Sequence, residues 1–166
     1  MIVVADAAPL IFFTKINQLV LIPMFCDGEI LVPSKVRHEI LGRGIPPDEE
    51  RLLVAFLSKC KVVDIMKPEV FAKALSFADN CVLTLACNAK ADIIVADDRL
   101  LRKVAIMEGI RVIGTLGILI WATKKQLVSS KKAHYLLNEL VKEHNFRIST
   151  AVYEVALSAI LGDQLG

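Results

Sequence analysis

The 166-residue sequence lacks any long uncharged apolar run. Hydrophobic residues make up 55% of the chain and the mean hydropathy is +0.55, yet no apolar stretch approaches the roughly 18 residues that a membrane-spanning helix needs. The apolar N-terminus has no basic region and carries Asp6 in its middle, so we expect no signal peptide and a cytoplasmic protein. The apolar excess instead predicts a parallel sheet whose strands are buried on both faces.

Signatures of several common sites are also missing. The four cysteines, Cys26, Cys60, Cys81 and Cys87, form no CxxC pair and have no zinc-ligand spacing, which predicts buried, reduced thiols. The net charge of +2 gives no strong electrostatic signature of nucleic-acid binding. No glycine-rich phosphate loop follows the first predicted strand, so dinucleotide and Walker-type nucleotide binding are not expected.

Short apolar runs alternate with helical patterns along the chain. Residues 2–5, 30–32, 93–95 and 111–113 are predicted strands, and residues 62–65 are predicted to be a short or edge strand. Alternation of this kind predicts an α/β fold in which helices sandwich a parallel sheet.

Three further helices are predicted from the sequence. A weak helical pattern covers residues 68–77 and leads into Asp79. Ser130 is the candidate N-cap of a helix over 131–143, because a hydroxyl side chain can accept from the first free N–H groups of a helix. A final helix is predicted over residues 150–161.

Acidic residues recur where predicted strands end and helices begin. Asp6 follows the first strand, Glu39 lies on the helix after the second, Asp79 opens a later helix, and Asp97 and Asp98 follow residues 93–95. In open α/β sheets the ligand crevice lies beyond the carboxyl ends of the strands. A single acid at a helix start is an ordinary cap, but several carboxylates in one crevice favour a divalent cation, and oxygen ligands select Mg²⁺ or Mn²⁺.

The motifs around these acids resemble the PIN-domain family of metal-dependent nucleases. Asp6 lies within VVADAAPLI, Glu39 lies within VPSKVRHEIL, and Asp79 precedes LTLACNAKADIIVADD, which ends in Asp97 and Asp98. The segments GIRVIGTLGIL and NELVKEHNFRIS are similar, more narrowly, to a prokaryotic subfamily related to the VapC-type toxin ribonucleases. The resemblance runs from residue 2 to about residue 161.

The resemblance implies a fold, an activity and partners. The implied fold is a three-layer α/β/α sandwich with a parallel, about five-stranded sheet, in one PIN-like domain over 1–166 with the helices from about 130 as an appended extension. The implied activity is that of an Mg²⁺- or Mn²⁺-dependent endoribonuclease, a hydrolase of phosphodiester bonds and the toxin of a type II toxin–antitoxin pair. The implied partners are an RNA substrate, a small cognate antitoxin and a second copy in a homodimer, without a membrane.

The resemblance also implies the site residues. The expected catalytic acids are Asp6, Glu39, Asp79, Asp97 and Asp98. All of these except Glu39 are expected to bind the metal, and the doublet leaves open whether Asp97 or Asp98 is the ligand. Three basic residues on the helix after the doublet are expected to bind the substrate: Arg99, Arg102 and Lys103, of which Arg102 matches a family position.

Four small residues depart from the family pattern. Ala7, Ala8 and Ala96 stand where PIN domains commonly carry a Ser or Thr hydroxyl beside an acid, and Ala78 replaces the usual Gly. Loss of groups that orient metal ligands lowers metal affinity or activity. The alternative hypothesis is therefore a catalytically impaired PIN-fold protein that binds RNA or another protein.

Overall fold

Parallel strands form a single sheet at the centre of the protein. The computed structural model describes residues 1–42 and 44–162, and the statements below concern these residues. The strands are β1 (Ile2–Ala5), β2 (Glu29–Pro33), β3 (Lys61–Val63), β4 (Ile93–Val95) and β5 (Arg111–Ile113). Helices flank the sheet: α1 (Ala7–Lys15), α2 (Leu21–Cys26), α3 (Ser34–Leu41), α4 (Pro47–Leu57), α5 (Phe77–Ala89), α6 (Arg99–Met107), α7 (Thr115–Lys124), α8 (Ser130–Glu143) and α9 (Thr150–Leu161).

The predicted fold class is confirmed. The described residues form a five-stranded, all-parallel sheet flanked by helices, as in an α/β/α sandwich of PIN type. The final helix spans residues 150–161 as predicted. Residue 166, the predicted domain boundary, lies outside the described residues.

The strand order places the point where the chain changes direction beside β1. The order is β3-β2-β1-β4-β5, so the chain first builds outward from β1 through β2 to β3 and then returns to add β4 on the other side of β1. In open α/β sheets such a switch point marks the ligand crevice. Ala5 pairs with Val95 across this junction, and the side chains that follow both strands therefore emerge at the same level.

The central strands are buried on both faces. Val3, Val4 and Ala5 in β1 and Ile94 and Val95 in β4 have no exposed surface. This burial explains why their sequences are continuously apolar rather than alternating. At one edge, β3 exposes Lys61 and Val62. The rigid centre of the sheet, not its edge, thus supports the acids that follow β1 and β4.

The segment between β3 and α5 is not helical, so the helix predicted over 68–77 is wrong. Polar side chains of α5 hold this segment in an irregular path. The Glu69 N–H donates to Thr84 Oγ1 at 2.9 Å, and the Phe71 N–H donates to Asn80 Oδ1 at 3.0 Å. Backbone donors satisfied by side chains of a neighbouring helix do not need the helical ladder.

The last helices extend the layer formed by α7. α7 packs against α8 and α9 as well as α1 and α2. The N-cap of α8 is Ser129 rather than the predicted Ser130, since Ser129 Oγ accepts from the Lys132 N–H at 3.1 Å. Two consecutive serines offer equivalent caps in sequence, and only the backbone path selects one.

All four thiols are free, as expected from their spacing, but they are not all buried. Cys26 and Cys81 are buried, Cys60 is half-buried and Cys87 is exposed on α5. The high hydropathy of the chain resides in the buried strands and helix faces. Within the described ranges, no helix is long and apolar enough to span a membrane.

Replacing Asn80 by Ala tests the side-chain support of the irregular segment. Asn80 is 5% exposed, and besides accepting from Phe71 it donates Nδ2 to the Ser76 carbonyl at 3.0 Å. Asn80→Ala should lower the free energy of unfolding by about 1–3 kcal/mol, because buried polar groups lose their partners. Urea denaturation measures the change.

Asn88→Ala is the matched control, since Asn88 is exposed on the same helix. Both variants gain the same helix propensity. Equal stability changes in the two variants would show that the Asn80 contacts contribute nothing.

Candidate active site

Acidic side chains from four separate elements converge at the carboxyl end of β1. Asp6 follows β1, Glu39 lies on α3, Asp79 lies in the first turn of α5 and Asp97 follows β4. Asp6, Glu39 and Asp79 line one cleft of about 310 Å³, here called the acidic cleft. The charges of Asp79, Glu39 and Asp97 all act on Asp6. The structure thus brings together four of the five acids singled out in the sequence.

Asp6 carries the most perturbed carboxyl group of the cleft. Its residue is only 6% exposed. Burial is the main reason that the pKa of Asp6 is raised from 3.8 to about 7, and the negative charges of Asp79, Glu39 and Asp97 raise it further against the opposing effect of the Ala7 N–H. A cation in the cleft would offset both the burial and the repulsion.

Asp6 occupies the N-cap position of α1 without acting as a cap. An N-cap side chain normally accepts from the N–H of the second or third helical residue. The third residue of α1 is Pro9, which has no N–H, and the Asp6 side chain makes no capping hydrogen bond. Helix capping therefore does not explain the buried carboxylate at this position.

Thr115 fixes the orientation of Asp97. Thr115, at the start of α7, donates its backbone N–H to Asp97 Oδ1 at 2.8 Å and its hydroxyl to Oδ2 at 2.6 Å. Burial raises the pKa of Asp97, while the hydrogen bonds from Thr115 and the nearby Arg102 guanidinium lower it. Asp97 is consequently held in one rotamer at the N-terminus of α7, where the helix dipole favours its charge.

Gly114 leaves the space in which Arg102 and Asp97 meet. A Cβ at Gly114 would lie 2.6 Å from both Arg102 Nη1 and Asp97 Oδ1. Arg102 Nη1 also donates to the Ala96 carbonyl at 3.0 Å. A side chain at position 114 would therefore displace the Arg102 guanidinium or the Asp97 carboxylate.

The structure separates the two members of the aspartate doublet. Asp98 is exposed and is the N-cap of α6, where its Oδ1 accepts from the Leu101 N–H at 2.8 Å. Asp97, in contrast, is close enough to Asp6 for its charge to raise the Asp6 pKa. The position of Asp98 is accounted for by capping alone.

Asp79 combines a structural and an electrostatic role. It forms a capping box with Ser76, in which Asp79 Oδ2 accepts from the Ser76 N–H at 3.0 Å and Ser76 Oγ accepts from the Asp79 N–H at 3.1 Å. The box uses one carboxylate oxygen. Asp79 still lines the acidic cleft, so both the cap and the site interpretation of this residue apply.

The three basic residues predicted to bind substrate lie in different environments. Arg99 and Lys103 are exposed on α6. Arg102 is half-buried and, with Asp97, lines a second cavity of about 680 Å³. This second cavity, called the side cavity, lies between α7 and residues 145–152. Only Arg102 of the three predicted residues is brought beside the acids.

Four residues near the acids were not found by sequence reasoning. Lys15, His144 and Asn145 line the acidic cleft, and Thr115 binds Asp97. Lys15 Nζ is 3.5 Å from Glu49 Oε2, and His144 Nε2 is 3.4 Å from Glu139 Oε1. Of these, only Thr115 had a sequence signal, a hydroxyl residue at the helix start that follows the last strand.

The chemistry of the donors suits a hard divalent cation. Within residues 1–42 and 44–162, no group of three His, Cys, Asp or Glu side chains is close enough to hold a metal ion. Mg²⁺ does not require three, because it commonly keeps several waters and binds one or two protein carboxylates. The crowded carboxylates, with the Asp6 pKa raised to about 7, therefore fit Mg²⁺ or Mn²⁺ by charge and donor type.

The match to a known family covers the same part of the chain as the strands and helices of the fold, from β1 to α9. A family model described as a PIN domain matches residues 2–161. A search of curated proteins found no match to the chain. The matched range includes all strands, the four clustered acids and Thr115.

Asp6→Asn tests the effect of burial, together with that of the neighbouring acids, on the Asp6 carboxyl group in the absence of divalent ions. Between pH 4 and 7 the folded state retains a proton on Asp6 that the unfolded state has lost, so the Asp6 contribution to stability falls as the pH rises. Asn removes this penalty. The variant should equal the wild type near pH 4 and become more stable by up to about 4 kcal/mol at pH 8.

Urea denaturation across this pH range measures the difference. Asp64→Asn is the control, because Asp64 is an exposed acid between β3 and α5. A stability difference between Asp6→Asn and wild type that stays constant with pH would contradict the raised pKa of Asp6.

Proposed function

Because this chain belongs to the PIN-domain family, whose members are generally nucleases, we propose that it is an Mg²⁺- or Mn²⁺-dependent endoribonuclease. We further propose that it is the toxin of a type II toxin–antitoxin pair. The observation that carries the nuclease proposal is the convergence of Asp6, Glu39, Asp79 and Asp97 around the carboxyl end of β1.

Carboxylates from separate elements repel one another when they share a cleft. Capping explains Asp98 and part of Asp79. It explains neither Asp6, which makes no side-chain capping hydrogen bond, nor Asp97, which Thr115 holds between β4 and α7. A fold tolerates such crowding when a bound cation neutralises it. The arrangement thus supports a role in metal-dependent chemistry over a purely structural role.

The roles of the residues follow from their positions. One or two of Asp6, Asp79 and Asp97 would hold the metal directly, with water as its other ligands. The ion would supply a water of lowered pKa and positive charge opposite the phosphate. Glu39 lies in the same cleft, where it can accept a proton from an attacking water. Thr115 keeps Asp97 oriented through both carboxylate oxygens.

The alanines at the site favour the second candidate function, a catalytically impaired PIN-fold protein that binds RNA or protein. Ala7 and Ala96 are buried beside Asp6 and Asp97 and offer no hydroxyl. Thr115 supplies a hydroxyl to Asp97 from a different element. The Thr115 hydroxyl thus takes the place of the hydroxyl that Ala96 lacks, which supports an active site. The cleavage experiment below separates the two functions.

The proposed partners are RNA, a small cognate antitoxin and a second copy of the chain. The toxin role is supported by the similarity of GIRVIGTLGIL and NELVKEHNFRIS to the VapC-related subfamily. In the fold, these segments correspond to the region of β5 and α7 and to the end of α8 with the residues before α9. Both regions border the side cavity. Co-purification with the product of a neighbouring small gene tests the antitoxin.

Cleavage of a mixed RNA with Mn²⁺ should distinguish Asp97 from Asp98. Asp97→Asn should slow cleavage on the order of 100-fold, the size of effect seen when a metal site loses its support. Asp98→Asn should stay close to wild type, because Asn caps a helix as well as Asp. Initial rates from gel electrophoresis and Mn²⁺ affinity from calorimetry are the measurements.

Excess EDTA should abolish cleavage by the wild type. Equal rates for wild type and both variants would indicate a contaminating nuclease. Absence of cleavage with retained RNA binding would favour the impaired PIN-fold protein.

A further inference from the structure

The side cavity is a second concave surface that shares its edge with the acidic cleft. Its volume of about 680 Å³ lies in the range typical of small-molecule sites. Phe12 and Asn145 line both the acidic cleft and the side cavity. Asp97 lines the side cavity while its charge acts on Asp6 in the acidic cleft. A polymer bound across the acidic cleft can therefore extend directly into the side cavity.

The walls of the side cavity are largely apolar and remain accessible. Leu116 and Ile120 on α7 and Ile148 before α9 are half-buried, and Val152 on α9 is 45% exposed. The base of the cavity is well packed. Phe146 is 6% exposed and packs edge-on against Phe12, with ring centroids 5.0 Å apart. Apolar surface of this kind gains free energy when a flat ring covers it.

Two arginines provide positive charge at this cavity. Arg102 stands beside Asp97. Arg147 is exposed, and within the described part of the chain it makes no ion pair. The acidic cleft repels phosphates, so cations just outside it are needed to hold the phosphates that flank a bound scissile group. Asn145, shared by both hollows, offers an amide donor and acceptor at the boundary.

From this combination we propose that the side cavity binds the base of an unpaired RNA nucleotide adjacent to the cleaved phosphate, with Arg147 and Arg102 on its phosphates. The proposal rests on the proposed nuclease function. A base inside a duplex cannot enter such a cavity without leaving its stack. Proteins read unpaired RNA through such splayed bases.

Binding in EDTA tests the cavity independently of cleavage. The probe is a short fluorescein-labelled single-stranded oligoribonucleotide, compared with a fully abasic chain of the same length. The wild type should bind the abasic chain about 10-fold more weakly. Val152→Trp fills the cavity from an accessible position, so this variant should bind both chains equally. Val155→Trp, on the same helix with Val155 70% exposed, should behave as wild type.

Arg147→Gln tests the phosphate contact without changing the core. It should reduce the slope of log affinity against log salt by about 0.7, the value for one phosphate on a single strand. Arg51→Gln is the charge-matched control, since Arg51 is exposed on α4 and pairs with the exposed Asp48 at 3.4 Å. A duplex of the same sequence should compete at least about 10-fold more weakly than the single strand.

The outcomes separate this proposal from the nuclease proposal. If the wild type cleaves RNA with Mn²⁺ but Val152→Trp still discriminates the abasic chain, the base site is wrong and the nuclease stands. If the wild type neither cleaves nor binds Mn²⁺ yet shows the base effect, the nuclease is wrong. If Val152→Trp is unfolded by thermal melting, an unchanged salt slope in Arg147→Gln together with equal duplex competition overturns the base site. If Val152→Trp binds RNA as the wild type does but no longer binds a protein partner, the base site is also wrong.

Discussion

The parallel pairing of β1 with β4 is the constraint on which the site depends. The Asp6 N–H donates to the Val95 carbonyl at 2.9 Å, which extends the ladder one residue beyond β1. This pairing fixes Asp6 and the residues after β4 at the same level of the sheet. Since Val3, Val4, Ala5 and all of β4 are buried, neither strand can shift register without exposing apolar side chains. The charges are thus positioned by the most deeply buried part of the sheet.

The burial and crowding of these carboxylates lower the stability of the fold and favour the binding of a cation. An Asp whose pKa is about 7 in the folded state weakens the fold at neutral pH. Local conflicts of this kind concentrate at functional sites and are compensated elsewhere. Here the compensation includes the hydrogen bonds from Thr115 to Asp97 and the capping box of Asp79, which hold two of the repelling carboxylates in place. A bound cation would neutralise the repulsion between the carboxylates, which these contacts hold in place without neutralising.

The fold and the clustering of the acids could be predicted from the sequence because both follow from strand direction. Features that depend on tertiary contacts could not be predicted. Short apolar strands followed by acids identify a sheet edge because strand direction alone decides where the acids emerge. The choice between Asp97 and Asp98 depends on side-chain direction, which no local pattern records. Thr115 had only the weak signal of a hydroxyl at a helix start, and His144 reaches the site through tertiary packing, which left no local signal. The segment before α5 was misread as helix because its backbone partners, Thr84 and Asn80, lie on another element.

The link between α8 and α9 joins the two hollows into one surface. His144 and Asn145 border the acidic cleft, and Asn145 continues into the side cavity. Asn145 has a positive φ of 56°, a conformation that Asn tolerates better than most residues. The acids come from the first two thirds of the chain, whereas this wall comes from its last quarter. The cleft is therefore complete only when the C-terminal helices are docked, which ties the recognition surface to the late part of the sequence and the metal-binding chemistry to the early part.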